Sequence, residues 1–280
     1  MPAALLLALL AAAPGPAVFR YDVEESTRAL TPAGPRNEAL AGTVRVRGGK
    51  SLWELSASRL PGVSANAVLA DGENLVLLDR EVSTYTPVSR EEFEALFLGE
   101  RGADGAVEAE AKDVVAGAVP TGAGAPFEGR PTVRWEVSFS FLLVSKQAGR
   151  MVRVRHAEDG VVETVAAEPG GPPTPFDDLA RLFRGRGEAR EALVRELAKV
   201  TGLPVRVRID ASSEAMSETV GPGGGPAAKP PVRATWTTTR TVSHLQRRAA
   251  SEADARAFEV PQTYHVLPLE RERTTRPLPR

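Results

Sequence analysis

Thr132-Val-Arg-Trp-Glu-Val-Ser-Phe-Ser-Phe-Leu-Leu143 alternates apolar and polar side chains with a period of two. Val133, Trp135, Val137, Phe139, Phe141 and Leu143 share one face of an extended chain, and Thr132, Arg134, Glu136, Ser138 and Ser140 share the other. Successive strand side chains point to opposite sides, so the pattern predicts a strand with one face buried and one in water. The theme recurs at Val44/Val46 against Arg45/Arg47, at Val152/Val154 against Arg153/Arg155, and at Val205/Val207/Ile209 against Arg206/Arg208/Asp210. Between Val232 and Val242 the polar face is Thr235, Thr237, Thr239 and Thr241, whose branched Cβ atoms favour extended backbone. Strands of this kind build antiparallel sheets covered on one side. Parallel sheets instead need buried apolar runs alternating with helices, and none appears.

Punctuation fits hairpins, with turn signals at Gly48-Gly49, Asp71-Gly72 and Asp159-Gly160. Helices are few. Ser89-Arg-Glu-Glu92 is a capping box ahead of Phe93, Leu96 and Phe97. Thr174-Pro-Phe-Asp177 sets an N-cap before an N1 proline, with Asp177 and Asp178 in the first turn. From there a helix is expected to run towards Gly202 and Pro204, broken at Gly185-Arg-Gly187. Its apolar stripe is Phe176, Leu179, Leu182 and Phe183, then Leu193, Leu197 and Val200. Ser251-Glu-Ala-Asp254 caps a last short helix. Gly102 to Gly105, Gly117 to Pro126, Pro169 to Pro173 and Gly221 to Pro231 read as flexible. Strands lie on both sides of each, so the expectation is one domain over residues 18–268 with a tail over 269–280.

The chain of 280 residues has Lys+Arg 35 against Asp+Glu 36 and a net charge of -1. That balance gives no electrostatic footprint for nucleic acid. The absence of cysteine excludes disulfides, thiol chemistry and zinc–thiolate sites. Ala3 to Ala13 is an apolar run of about eleven residues. As a helix it would span about 16 Å, too short for the ~30 Å hydrocarbon core of a bilayer. The breaker Pro14-Gly-Pro16 and the small residues Gly15 and Ala17 complete a signal peptide over residues 1–17, cleaved after Ala17. The mature chain is then expected to be exported, periplasmic or secreted, and not membrane-spanning.

Chemistry-bearing motifs are sparse. Gly48-Gly-Lys-Ser51 looks like the end of a phosphate-binding loop, but Val44 stands where that motif needs glycine, and a strand pattern follows. His156, His244 and His265 are widely spaced, and His156 and His244 fall at the ends of strand patterns, as rim positions would. No Gly-x-Ser-x-Gly elbow is present. Of the acidic pairs Glu24-Glu25, Glu91-Glu92 and Asp177-Asp178, the last two are explained by helix capping. No catalytic residue, metal or cofactor is expected.

Several short motifs, taken in order, carry a resemblance. They are Phe19-Arg-Tyr-Asp-Val23, Gly42-Thr-Val-Arg-Val-Arg47, Leu69-Ala-Asp-Gly72, Leu75-Val-Leu-Leu-Asp79 and Ser83-Thr-Tyr85, followed late in the chain by Thr201-Gly-Leu-Pro204 and Phe258-Glu-Val-Pro-Gln-Thr-Tyr264. This order resembles bacterial envelope proteins of the lipoprotein-localisation-factor type (LolA/LolB/LppX-like), and within that group an uncharacterised domain family of periplasmic proteins. The resemblance implies a mainly β fold, a curved antiparallel sheet forming a half-open β-barrel, with helices covering the concave face and a cavity that holds acyl chains. The chain departs from the group in two ways. The carrier's lid and signature arginine cannot be placed on particular residues, and the lack of cysteine separates it from the membrane-anchored receptors.

The expected function is therefore non-enzymatic binding or carriage of a lipid or other hydrophobic ligand, such as lipoprotein acyl chains. Trp53, Trp135, Val137, Phe139 and Phe141 are the candidate lining residues, each equally able to be plain core. The alternative is an envelope interaction or sensory module whose core is filled by its own side chains, with a protein partner docking on an edge strand or on the Gly221–Pro231 loop.

Overall fold

The computed structural model describes residues 17–56, 64–72, 74–93, 109–147, 150–169, 171–185, 187–219 and 230–268. The signal-peptide reading up to residue 16, the Gly102–Gly105 segment, residues 221–229 of the glycine-rich loop and the tail from residue 269 lie outside them.

The strands are β1 (Ala17–Thr31), β2 (Gly34–Arg47), β3 (Lys50–Leu55), β4 (Ala67–Asp71), β5 (Asn74–Asp79), β6 (Thr84–Val88), β7 (Ala109–Ala123), β8 (Val133–Gln147), β9 (Arg150–Val165), β10 (Leu203–Thr219), β11 (Val232–Ala249) and β12 (His265–Val266). They form one open, curved sheet in the order β12-β6-β5-β4-β3-β2-β1-β11-β10-β9-β8-β7. Every neighbouring pair is antiparallel except β12 with β6, where His265 lies beside Thr84 in a parallel bridge. Two meanders, β1 to β6 and β7 to β11, are thus joined along a single seam between β1 and β11, running from Ala17 beside Ala249 to Leu30 beside Thr235. The expected fold class is what the chain adopts, a curved sheet with few helices.

The hairpins at Gly48-Gly49 and Gly72 form as read. Gly48 and Gly49 both take positive φ (55° and 85°), the geometry that matches a tight turn to the twist of its strands. Gly48-Gly-Lys-Ser51 is therefore a hairpin and not a phosphate loop.

The helical elements comprise 3₁₀ turns at Pro175–Asp177 and Leu179–Leu182, then helix α1 (Gly187–Leu197) and helix α2 (Glu252–Ala257). They divide between the two faces of the sheet, the 3₁₀ turns and helix α1 on the inward one and helix α2 at the reverse one. Capping boxes open the first turn at Thr174, the helical turn after Ser89 and helix α2 at Ser251. Leu179, Ala180, Phe183, Ala189, Leu193 and Leu197 pack on Val137, Phe139, Val162, Val207 and Ile209 of the sheet. Phe93 and Phe176 close a second cluster over Tyr21, Val23, Val44 and Trp53. Phe258, just after α2, covers Leu52, Leu69 and Leu78 from the reverse face. Strands β3 to β5 are therefore covered on both sides, which explains the unbroken apolar run Ala67-Val-Leu-Ala70.

Four expectations are corrected. Asp159-Gly160 is no turn; it lies inside β9, where Gly160 pairs with Val137 and Ile209. Its lack of a side chain serves packing, because a Cβ there would come within 3.1 Å of the Phe183 ring. Gly117 to Pro126 is not flexible throughout: up to Ala123 it belongs to edge strand β7, whose register shifts at Lys112/Val115 and Pro120/Gly122 absorb the proline. The helix expected from Thr174 is two 3₁₀ turns, because Asp178 is extended (φ -61°, ψ 110°) and its side chain caps the next turn through Ala180 N–H. Finally, His156 is no rim residue but is buried in the middle of β9.

Candidate functional site

The site begins with the inward parity of β8. Trp135, Val137, Phe139 and Phe141 are 9%, 2%, 1% and 7% exposed, while Val133 at the strand's start is 44% exposed. Phe139 and Phe141 stack obliquely with centroids 5.3 Å apart. Gly185 lets the cover close on them, since a Cβ there would lie 3.0 Å from the Phe139 ring. Trp53, on β3, is fully buried in the other cluster, 5.5 Å from Phe176. The structure therefore brings together Trp135, Val137, Phe139 and Phe141 and places Trp53 apart from them. The covering segment joins both clusters, giving Phe176 to the first and Leu179, Ala180 and Phe183 to the second.

That segment is held down by ionic contacts that the sequence reading missed. Arg240 of β11 binds Asp177, donates from Nε to Glu25 Oε1 (3.1 Å) and from Nη1 to the Pro204 carbonyl (2.8 Å). Arg181 grips Glu25 with two nitrogens, one at 2.7 Å, and donates from Nε to the Phe176 carbonyl (2.9 Å). Tyr21 Oη donates to Asp177 Oδ2 (2.5 Å), which also accepts from the Thr174 N–H and hydroxyl (2.9 Å each). Two guanidinium groups thus face two carboxylates, all buried, and every charge is compensated. Burial alone would raise the Glu25 carboxyl, but Arg181 and Arg240 outweigh it and hold it below its usual range. Burial, then the Asp177 carboxylate, pushes the Tyr21 hydroxyl well up. Burial opposes the charge on Arg240, yet Asp177 and Glu25 raise it above its ordinary value.

A second polar group sits on the same face. His156 Nε2 lies 2.6 Å from Glu158 Oε1, and that carboxylate accepts the main-chain N–H of Arg184 at 3.0 Å. The imidazole packs 4.9 Å from Phe141 and 5.4 Å from Trp236. Exposed His244, at a positive-φ kink in β11, instead pairs with Asp22. Among the described residues no group of three or more His, Cys, Asp or Glu is placed to hold a metal ion. One sequence signal could have found the buried ions. Glu25 follows Tyr21 and Val23, Arg240 precedes Val242, and Glu158 precedes Gly160 and Val162, all at inward parity. A charge at an inward position of an alternating strand has to be paired.

The inward face continues along the strands beyond Phe141, where Ala111 and Leu143 pack against the margin of the covered cluster. Ala111, Leu143, Val154, Ala215 and Val232 form one cross-strand row over β7, β8, β9, β10 and β11. Leu143, Val154 and Ala215 are half-buried and Val232 is 51% exposed. Two cavities, of about 540 and 390 Å³, are lined chiefly by outward-facing residues and share Asp159 and Asp210; Val137 also borders the smaller one.

No protein-family profile and no curated protein matches the chain. Two solved structures align over most of it. One is a domain from Vibrio parahaemolyticus described as that of an outer membrane lipoprotein-sorting protein. It is 10% identical, covers 86% of this chain and 88% of its own, and gives a TM-score of 0.25. The other is a DUF1329 family protein from Desulfovibrio piger, 10% identical, covering 88% of this chain and 90% of its own, with a TM-score of 0.19. With both TM-scores this low, the architecture rests on the strand pairing itself. No described helix is long and apolar enough to cross a membrane.

Proposed function

We propose that the chain is an exported, periplasmic or secreted protein that binds or carries a lipid on its inward face without catalysing a reaction. The observation that carries this reading is the apolar row Leu143–Val154–Ala215–Val232, which extends the inward stripe beyond Phe141 and passes from half-buried at Leu143, Val154 and Ala215 to exposed at Val232. An acyl chain laid on that row gains roughly 25 cal/mol for each Å² of apolar surface removed from water. Trp135, Val137, Phe139 and Phe141 would extend the lining where the cover lifts, and Trp53 would line the neighbouring cluster. The apolar run Ala3–Ala13 with its small-residue cleavage site supports export.

A second reading draws on the same packing. The candidate residues are at most 9% exposed, as a filled core requires, and a partner protein would then dock along edge strand β7. Mass spectrometry of solvent extracts from residues 18–280, purified from the periplasm without detergent, separates the two. A stoichiometric lipid absent from an equally prepared control is the expected result. A clean extract with no uptake of added fluorescent fatty acid would overturn the lipid reading in favour of the docking module.

A further inference from the structure

Arg184 is exposed, in the short connection between the second 3₁₀ turn of the cover and helix α1. Its guanidinium carbon sits 4.6 Å from the centroid of the Trp236 ring, an arrangement that favours this position of the side chain by cation–π attraction. Unlike Arg181 and Arg240, this guanidinium has no carboxylate partner among the described residues. The nearby carboxylate is already engaged, since Glu158 takes the His156 imidazole and the main-chain N–H of Arg184. Trp236 itself is half-buried at inward parity, in the cross-strand row Ala29–Trp236–Ala211–Glu158–Phe139. Two strand steps further along lies the half-buried row through Leu143, Val154, Ala215 and Val232, a rise of about 13 Å.

Resting on the lipid-binding reading above, we infer that Arg184 is the head-group residue of that site and that its ligand is an anionic amphiphile, an acyl chain ending in a carboxylate or phosphate. A planar guanidinium matches either group with two parallel hydrogen bonds. Stacking on Trp236 holds the fork ready, so little side-chain freedom is lost on binding. The tail would run from the fork over Ala234 and Ala215 towards Val232, where the face is exposed. A neutral amphiphile of the same length would gain the tail contacts and leave the guanidinium unpaired.

The test compares cis-parinaric acid with its methyl ester, both read by probe fluorescence on the mature protein. We expect the acid to bind about tenfold more tightly than the ester, the effect of one charge-assisted pair. In Arg184→Gln the two probes should bind alike, and Arg184→Lys should keep part of the preference. Each variant's thermal midpoint is compared with that of the parent to establish that it folds. If the parent binds both probes equally, or if Arg184→Gln keeps the preference, the head-group assignment is overturned while the lipid-binding face stands. Binding of neither probe overturns both. Inorganic phosphate at millimolar concentration serves as the tail-free arm. Competition by phosphate as strong as that by the acid would make this a free-anion site and overturn the amphiphile assignment.

Discussion

Glu25 is the residue on which the cover's attachment turns, because Arg181 and Arg240 both reach it and neither is exposed to water. Glu25→Gln keeps the shape but leaves the two guanidinium groups with only Asp177 between them. Breaking a buried pair from one side costs about 3–5 kcal/mol, much of it from the charge left uncompensated. Urea unfolding at neutral pH should report a loss of that order. The same carboxylate also sets a pH dependence. Its folded-state pKa lies below the unfolded value, so its contribution is whole above roughly pH 4.3 and drains away as pH falls through the folded value. The parent should therefore lose stability on acidification below that point, and Glu25→Gln should show a shallower acid limb. Identical acid limbs would mean that Glu25 is not held as the structure shows. The charges at Glu25, Arg240 and Glu158 were legible in the sequence as exceptions to alternation. What was not legible is that Glu25 and Arg240 meet Tyr21 and Asp177 in one group, since these residues come from segments far apart in the chain.

At the scale of elements, period-two alternation located β2, β8, β9, β10 and β11, and capping signals located the turns that open at Ser89 and Thr174 and the helix at Ser251. Two of the errors, at Gly160 and in β7, share one cause. Glycine marks a turn or a place where another group approaches closely, and local sequence does not say which. Gly160 is the second kind, with the Phe183 ring seated where its side chain would be. Gly160→Val should push Phe183 out of its cluster and destabilise the protein by about 1–3 kcal/mol, the usual cost of overpacking. The cover would also loosen, so limited proteolysis should cut the Thr174–Gly187 segment faster in the variant than in the parent. An unchanged cleavage rate would show that Phe183 does not anchor the cover. Edge strand β7 was misread for a related reason. Pro120 and Gly122 look like loop residues, yet an edge strand tolerates both at a bulge.

At the scale of the molecule, the seam between β1 and β11 decides how the chain behaves. It is the sole strand pairing between the two meanders among the described residues, and its partners stand more than two hundred positions apart at most points. The buried ionic group straddles it, with Tyr21 and Glu25 on β1, Arg240 on β11, and Asp177 and Arg181 on the cover. Neither meander then has a complete interior alone, because Val242, Leu203 and Val205 from the second half share a cluster with Tyr21, Val44 and Trp53 from the first. Residues 18–268 should accordingly unfold as one cooperative unit. Trp53 reports the first meander, whereas Trp135 and Trp236 report the second, which makes the prediction measurable. Urea transitions followed by far-UV circular dichroism, by parent tryptophan fluorescence and by fluorescence of a Trp53→Phe variant should each be single, with circular dichroism and fluorescence coinciding for each protein. Two separated transitions, one of them missing from the variant's fluorescence, would show that the seam joins two independent domains instead of completing one.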